Sequence, residues 1–477
     1  MANKNQELYN SKKAWVSFLK KKKRQRRVKK TKKGFAIHQR NIGRNAKLKG
    51  KYFKTSRVVS SWKGNKIRQK SKKPEYSEKI NYLLSIPEVF SSTVSWYDEE
   101  NLLIPKCFSL IENSEESFEF LKKLLFTLHI NKVSKITLDY SVCQRIDVDA
   151  SICMDIILAE FIMYFKKCGY AGYRDEIAIK SIEPINFENK ENIKKVLFSI
   201  GAYRNLTGFK IDYPDVIDLP VIINNSTNPK VWGKSEVDLT NIVEYIKKCL
   251  KRLNRELTID AENEFYKVIG EIMSNALEHS TLPFSYAIGF FQETHNDDEH
   301  FGIFNFSIFN YGDTIYQTFK NPDCQNQKAV FEMNALSENF TQRGFFKSAS
   351  FEEETLWTLY ALQEGITCKP KKRGNGSIQY IENFFKLKGD MLNDSISSMT
   401  ILSGNTRIVF DGTYQIIEKV KDNPNRKYKF ITFNESGEIN EEPNKKFVTF
   451  APNFFPGTLI SARILIKDNI NITTDGN

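Results

Sequence analysis

The 477-residue chain has no C-x-x-C motif; its seven cysteines are scattered at 107, 143, 153, 168, 249, 324 and 368. An odd, dispersed set of this kind argues against a disulfide framework or a cysteine zinc site and fits a reducing compartment. Long apolar runs are also missing. The most apolar stretch, Ile152 to Phe165, is broken by Asp155 and Glu160, well short of the ~18 residues a spanning helix needs. No apolar core follows the first residues, so no secretory signal is expected, and a cytoplasmic location is. There is no internal repeat and no Gly/Ser linker. Acid is almost absent from Met1 to Lys73, where Glu7 alone faces 27 Lys and Arg.

What is present divides into two parts. With 40% hydrophobic residues, 36 Phe and 20 Tyr, the chain can build two or three globular cores. The net charge of +14 splits into +26 for residues 1–73 and −12 for the rest. The basic arm, taken as residues 1–75, is densest at Lys20, Lys21, Lys22, Lys23, Arg24, Arg26, Arg27, Lys29 and Lys30. Self-repulsion and few apolar residues argue against a core of its own. Trp15, Phe18, Phe35, Tyr52, Phe53 and Trp62 are spaced among the cations. Cations with interleaved aromatics suit phosphate neutralisation plus base stacking, so RNA or DNA is the expected partner. The plainer reading is a solvated polycation that attaches to any polyanion, including an anionic membrane surface or the chain's own acidic body.

Alternating strand and helix patterns over 76–220 predict a small α/β domain. They are a strand over Ile136–Tyr140, a helix over Asp149–Lys167 closed by Gly169, a strand over Glu176–Ile182 and a helix over Glu191–Ile200 before Gly201. The run Leu138 to Glu160, a strand ending in Asp and leading through a loop into a helix, resembles a STAS domain. Phosphorylatable STAS switches carry a serine at that helix start, where Ser151 is the nearest candidate; an ordinary capping role is the plainer reading. Asp218 to Pro229, rich in Asn and Pro, is the expected junction to a second domain, 221–477.

The chemistry is concentrated in that second part. Phe265, Val268, Ile269, Ile272, Met273 and Ala276 recur at helical spacing and predict a buried stripe, with Glu264, Glu271, Asn275 and Glu278 on an adjoining face. Glu271 and Asn275 are one turn apart and can address one point in space. A carboxylate can orient or deprotonate a water, and an amide oxygen is a hard ligand suited to Mg²⁺. Alone, E-x-x-x-N is a weak signal. Next comes a strand, Phe301–Phe309, running into Asn310, Gly312, Asp313 and Thr314. Further on, Lys371 and Arg373 precede Gly374, Asn375, Gly376 and a helix through Phe385, a pattern suited to cradling phosphate. A closing strand begins at Pro456-Gly457-Thr458. His279 is expected to pack. His295 and His300, flanking Asn-Asp-Asp-Glu, read as an acidic solvated turn rather than a metal site.

This ordered set resembles the GHKL ATPases of the Bergerat fold, over about residues 230–477. The resemblance implies an α/β (α+β sandwich) architecture with ATP and Mg²⁺ as cofactors. It makes Glu271 the water-activating carboxylate and Asn275 the Mg²⁺ ligand. Asn310 stands where the family has its adenine-reading Asp, with Gly312 and Asp313 beside it. Gly374, Asn375, Gly376 and Arg373 would meet phosphates, Thr458 would support the adenine pocket, and residues 313–373 would be a mobile lid. Two positions depart from the pattern: Asn310 is neutral, and Thr314 replaces a glycine. The implied function is an ATP-dependent switch engaging nucleic acid through its arm, as in bacterial phage-defence or stress-regulation proteins. Dimerisation through the ATPase domain and a partner protein are further implications. The alternatives are a serine-protein kinase fused to its STAS antagonist and a nucleic-acid scaffold with a degenerate pocket.

Overall fold

A computed structural model of the protein describes residues 72–86, 99–201, 204, 210–225, 232–278, 281–295, 299–341, 351–368, 376–388, 394, 396–420 and 427–468. The arm contacts expected at Lys20 to Lys30, together with Arg373, Gly374, Asn375 and His279, lie outside these residues. Ser71–Asn477 is one compact unit of mixed helix and strand. Among the described residues, no helix is long and apolar enough to cross a membrane.

The first part is built around a three-stranded parallel sheet, β1 (Glu99–Leu103), β3 (Lys135–Asp139) and β5 (Ser181–Ile185), in the order β1-β3-β5. A short parallel pair, β2 (Cys107–Phe108) and β4 (Arg145–Ile146), lies beside it in sequence. Helices α1 (Glu78–Ser85), α2 (Ser114–Ile130), α3 (Val148–Ala171) and α4 (Glu191–Ser199) accompany these strands. The expected β3 and α4 are found close to their predicted bounds. The α3 helix runs past Gly169 and ends at Gly172, which takes the left-handed conformation (φ 92°) that closes a helix at little cost for glycine. The strand expected at Glu176–Ile182 begins at Ser181 instead, because Arg174–Glu176 forms a 3₁₀ turn. Asp139 is a structural carboxylate: Asn186, Asn101 and the Ser141 amide all donate to it at 2.8–3.3 Å.

The second part is a five-stranded antiparallel sheet, β6 (Val216–Asn225), β7 (Phe284–His295), β8 (His300–Tyr311), β12 (Val448–Lys467) and β9 (Ser398–Phe410), in that spatial order. A small hairpin, β10 (Ile417–Val420) and β11 (Lys427–Phe430), stands apart from it. The expected domain junction is displaced, since Asp218 to Asn225 belong to the edge strand β6. Pro220 is tolerated there because it is exposed and falls where the register breaks between Leu219 and Ile222.

Both faces of this sheet are covered, and side-chain alternation assigns each residue its face. On β7, Tyr286, Ile288 and Phe290 join a core with α2 and α3, while Ala287 and Phe291 join a second core with α5 (Trp232–Arg252), α6 (Ile259–Glu278), α9 (Glu353–Ala361) and α10 (Gly376–Lys388). The expected 76–220 and 221–477 domains therefore share the first core, in which Phe161 of α3 and Phe309 of β8 both lie. An aromatic cluster fills that interface: Phe309 stacks on Tyr286 at 4.7 Å, and Phe455 meets Tyr311 at 6.1 Å and Phe118 at 6.5 Å. Lys79 of α1 pairs with Glu160 at 2.6 Å and lies 4.2 Å from the Phe284 ring centroid, fastening α1 across α3 to the sheet.

One polar group is buried in this layer junction. Asp149 of α3 accepts the Leu110 amide at 2.9 Å and the Ser461 hydroxyl at 3.3 Å, and Ser461 shares a 2.9 Å bond with Ser307. Burial first, and then the charge of Asp147, push its carboxyl up to about 7. The folded chain therefore keeps this proton to higher pH than the unfolded chain. Its contribution to stability is complete below the ordinary carboxylate range and is lost as pH rises through about 7. Asp149→Asn supplies a neutral side chain of the same shape. In urea unfolding it should be more stable than the parent at about pH 8, by on the order of 1–2 kcal/mol, with the gain vanishing at about pH 4. A variant less stable at both values would show that the carboxylate itself is required.

Candidate functional site

The α6 helix begins at Thr258, whose hydroxyl accepts the Ala261 amide at 3.2 Å. Phe265, Val268, Ile269, Ile272 and Met273 bury against the sheet as the spacing predicts. That packing turns Glu271 and Asn275, one turn apart and half-buried, to the rim of a cavity of about 400 Å³. Opposite them, the even-numbered positions of β8 and β12 face the same side of the sheet. Ile308 and Asn310 of β8, and Thr458 and Ile460 of β12, line the cavity floor. Strand register makes Asn310 and Thr458 direct neighbours.

Two glycines permit this arrangement. Gly457 sits at φ 146°, and a Cβ there would lie 2.0 Å from the Asn310 carbonyl oxygen. Gly312, at φ 136°, ends β8 with its amide donating to the Pro456 carbonyl at 3.1 Å. The Gly312 carbonyl in turn accepts the Tyr82 hydroxyl of α1 at 2.6 Å. Burial, followed by the nearby Asp313 charge, pushes that phenol up to about 12. Asp313 also lines the cavity, and burial raises its carboxyl above the usual range.

Thr314, the departure from the expected glycine, has a local cause. It caps α7 (Ile315–Lys320) through a reciprocal capping box with Gln317, a role glycine has no side chain to perform. The segment expected to be a mobile lid contains α7, α8 (Gln327–Thr341) and α9, and these have a core of their own that includes Phe319, Met333, Leu336, Trp357 and Tyr360. Its described residues are therefore packed helices, and Thr318, Phe319, Ala361, Leu362 and Ile366 to Cys368 form the cavity's far wall.

Ser403 of β9 was not foreseen from the sequence. Its hydroxyl accepts the Ile315 amide at 2.9 Å, donates to the Gly457 carbonyl at 3.2 Å and shares a 2.9 Å bond with the Thr458 hydroxyl. One buried serine thus ties α7, β9 and β12 together at the cavity. Glu354 was missed as well: it accepts the Asn405 amide at 2.8 Å, against Gly404 in a left-handed turn. A lone serine in an apolar strand and a glutamate in a helix carry no motif, so neither is recognisable before the strands are paired.

The polar groups facing the cavity are unequally engaged. Asn310 is 6% exposed, yet its side-chain amide makes no hydrogen bond among the described residues. Glu271, Asn275 and Asp313 likewise have no side-chain hydrogen-bond partner there. Buried amides are ordinarily paired, so an amide left open against a cavity is available to a ligand. Among the described lining residues there is no cation. Cys368 and Ser377 both line the cavity, however, and the sequence joining them carries Lys369, Lys371, Lys372 and Arg373. Gly376 opens α10 as expected. Ser151 lies apart, fully buried within the first turns of α3, whose cap position is Asp147. It is neither the helix cap nor an accessible phosphate acceptor.

Gly457→Ala tests the close approach of β8 and β12. The added methyl meets backbone at an unfavourable φ, so stability should fall by about 2 kcal/mol or more in urea unfolding. An unchanged midpoint would contradict the geometry at the cavity floor. Comparison with known protein families, with curated proteins and with solved structures finds no match to this chain.

Proposed function

We propose that the chain is an ATP-binding, Mg²⁺-dependent conformational switch of the GHKL type, which engages nucleic acid through residues 1–75. One observation carries this reading: Glu271, Asn275, Asn310, Asp313 and Thr458, widely separated in sequence, line one cavity. The mixed helix and strand content, with helices packed on the cavity face of an antiparallel sheet, is consistent with this reading.

The residues fit the roles. The Asn310 amide, which faces the cavity and has no hydrogen bond among the described residues, would read the adenine edge, offering one acceptor and two donors where the family uses a carboxylate. Ser403 holds Thr458 beside it. The Asn275 amide oxygen, which lines the cavity without a hydrogen-bond partner among the described residues, is a hard donor suited to Mg²⁺. When bound, Mg²⁺ would neutralise phosphate charge. Glu271 would orient and deprotonate a water for attack on the terminal phosphate. The four cations between Cys368 and Ser377 would meet the phosphate chain. Tyr82 gives closure a route outward, because α1 follows the basic arm in sequence and grips Gly312 at the cavity edge.

The alternatives are less well supported. A kinase acting on Ser151 would have to modify a hydroxyl with no exposed surface. A degenerate pocket gives no reason for Glu271, Asn275, Asn310 and Thr458 to converge on one cavity.

The test is titration of Mg-ATP into residues 71–477, so that the polycationic arm cannot imitate a site. We expect saturable binding, weakened at least about tenfold by Asn275→Ala. Glu271→Gln should keep binding and slow phosphate release by about 10²–10⁴. Asn310→Asp should tighten adenine nucleotides about fivefold over guanine nucleotides, since a charged acceptor gains roughly 1 kcal/mol over a neutral one. Absence of binding in the parent would overturn the proposal.

A further inference from the structure

The far end of the β7–β8 hairpin holds a second constellation, and a solvated acidic turn does not describe it. Strand alternation puts Glu293 and His295 on one face of β7, and the register sets His300 directly across from His295. The two imidazole rings stack at 3.7 Å with planes 13° apart. Both Nε2 atoms point at the same Glu293 oxygen, at 3.1 Å from His295 and 2.8 Å from His300. All three potential ligand atoms lie within 4.8 Å of one another. A tetrahedral zinc site, with bonds of about 2.0–2.1 Å, has ligand–ligand edges of roughly 3.3 Å. The two nitrogen–oxygen pairs need open by only a few tenths of an ångström to reach that spacing, and the stacked rings must rotate apart for both Nε2 atoms to meet one ion.

A second, independent feature is the layer of contacts behind these three atoms. The other nitrogen of His300, Nδ1, bonds to the Asp468 carboxylate, whose two oxygens each accept the Asn254 amide at 3.0 Å. The backbone amide of Asp468 donates to the His300 carbonyl at 3.0 Å. The second oxygen of Glu293 accepts from Arg252 at 3.0 Å, which leaves the first turned to the histidines. A carboxylate on the far nitrogen is the device that fixes the tautomer and orientation of a metal-ligating histidine.

We infer that Glu293, His295 and His300 bind a zinc-like dication, with the fourth position open to solvent beside the exposed His295. Two imidazoles and one carboxylate select zinc over Mg²⁺, which separates this site from the cavity chemically as well as spatially. The ion would clip the hairpin to the end of β12, through Asp468, and to the end of α5, through Arg252 and Asn254.

The test is titration of Zn²⁺, and of Co²⁺ as a spectroscopic substitute, into the full chain after chelation and under reducing conditions. The expected result is one equivalent bound, unaffected by excess Mg²⁺, with no thiolate-to-cobalt charge-transfer band. Binding should be lost in His300→Ala and weakened about 10–100-fold in Asp468→Asn. His295 is 67% exposed, so His295→Ala should fold even if His300→Ala does not, and it too should lose the site. Equal binding by parent and His295→Ala, or a thiolate band, would place the metal on cysteines and overturn the inference. So would binding lost in Asn275→Ala, and so would no binding at all.

Discussion

The structure turns on the close approach of β8 and β12 where Gly457 passes over the Asn310 carbonyl. A side chain at that glycine would collide with backbone at 2.0 Å, so the strands can meet there only without one. Their meeting makes Asn310 and Thr458 neighbours on the helical face of the sheet, under Glu271 and Asn275. Ser403 then bonds to both β12 and α7, so the floor and one wall of the cavity share a single hydroxyl. Remove that approach and the residues proposed to read a base and hold a cation lose their common space.

The same sheet is also the joint between the two halves of the chain. Its other face packs on α2 and α3, with Asp149 bonded to Ser461 across the interface and Tyr82 bonded to Gly312 at its edge. A movement at the end of β8 cannot leave α1 undisturbed, because one short hydrogen bond links them. In the proposed function, that bond joins pocket closure to the segment that follows the polycationic arm.

Much of this was legible before any strand was paired. Helical spacing identified the buried stripe of α6 and the Glu271–Asn275 pair, because packing enforces a 3.6-residue period. The apolar runs around 301–309 and 456–465 showed as strands because both faces of the sheet are buried. The boundaries were harder. Gly169 reads as the end of α3, yet the helix continues to Ala171 and the left-handed cap falls on Gly172. Asn and Pro around residue 220 suggested a linker, whereas an edge strand tolerates that composition. Ser403, Glu354 and Tyr82 were invisible because their importance comes from partners 54, 51 and 230 residues away. The Glu293–His295–His300 cluster was half visible: the spacing was plain, but Asp468 enters only through the fold.

The most direct measurement of the central claim is a crystal structure of residues 71–477 grown with Mg²⁺ and a non-hydrolysable ATP analogue. The account predicts the purine ring against Asn310 and Thr458, a metal within coordination distance of the Asn275 amide oxygen, and the phosphates directed toward Ser377. A cavity without ligand at saturating analogue, or a nucleotide bound elsewhere on the chain, would contradict it.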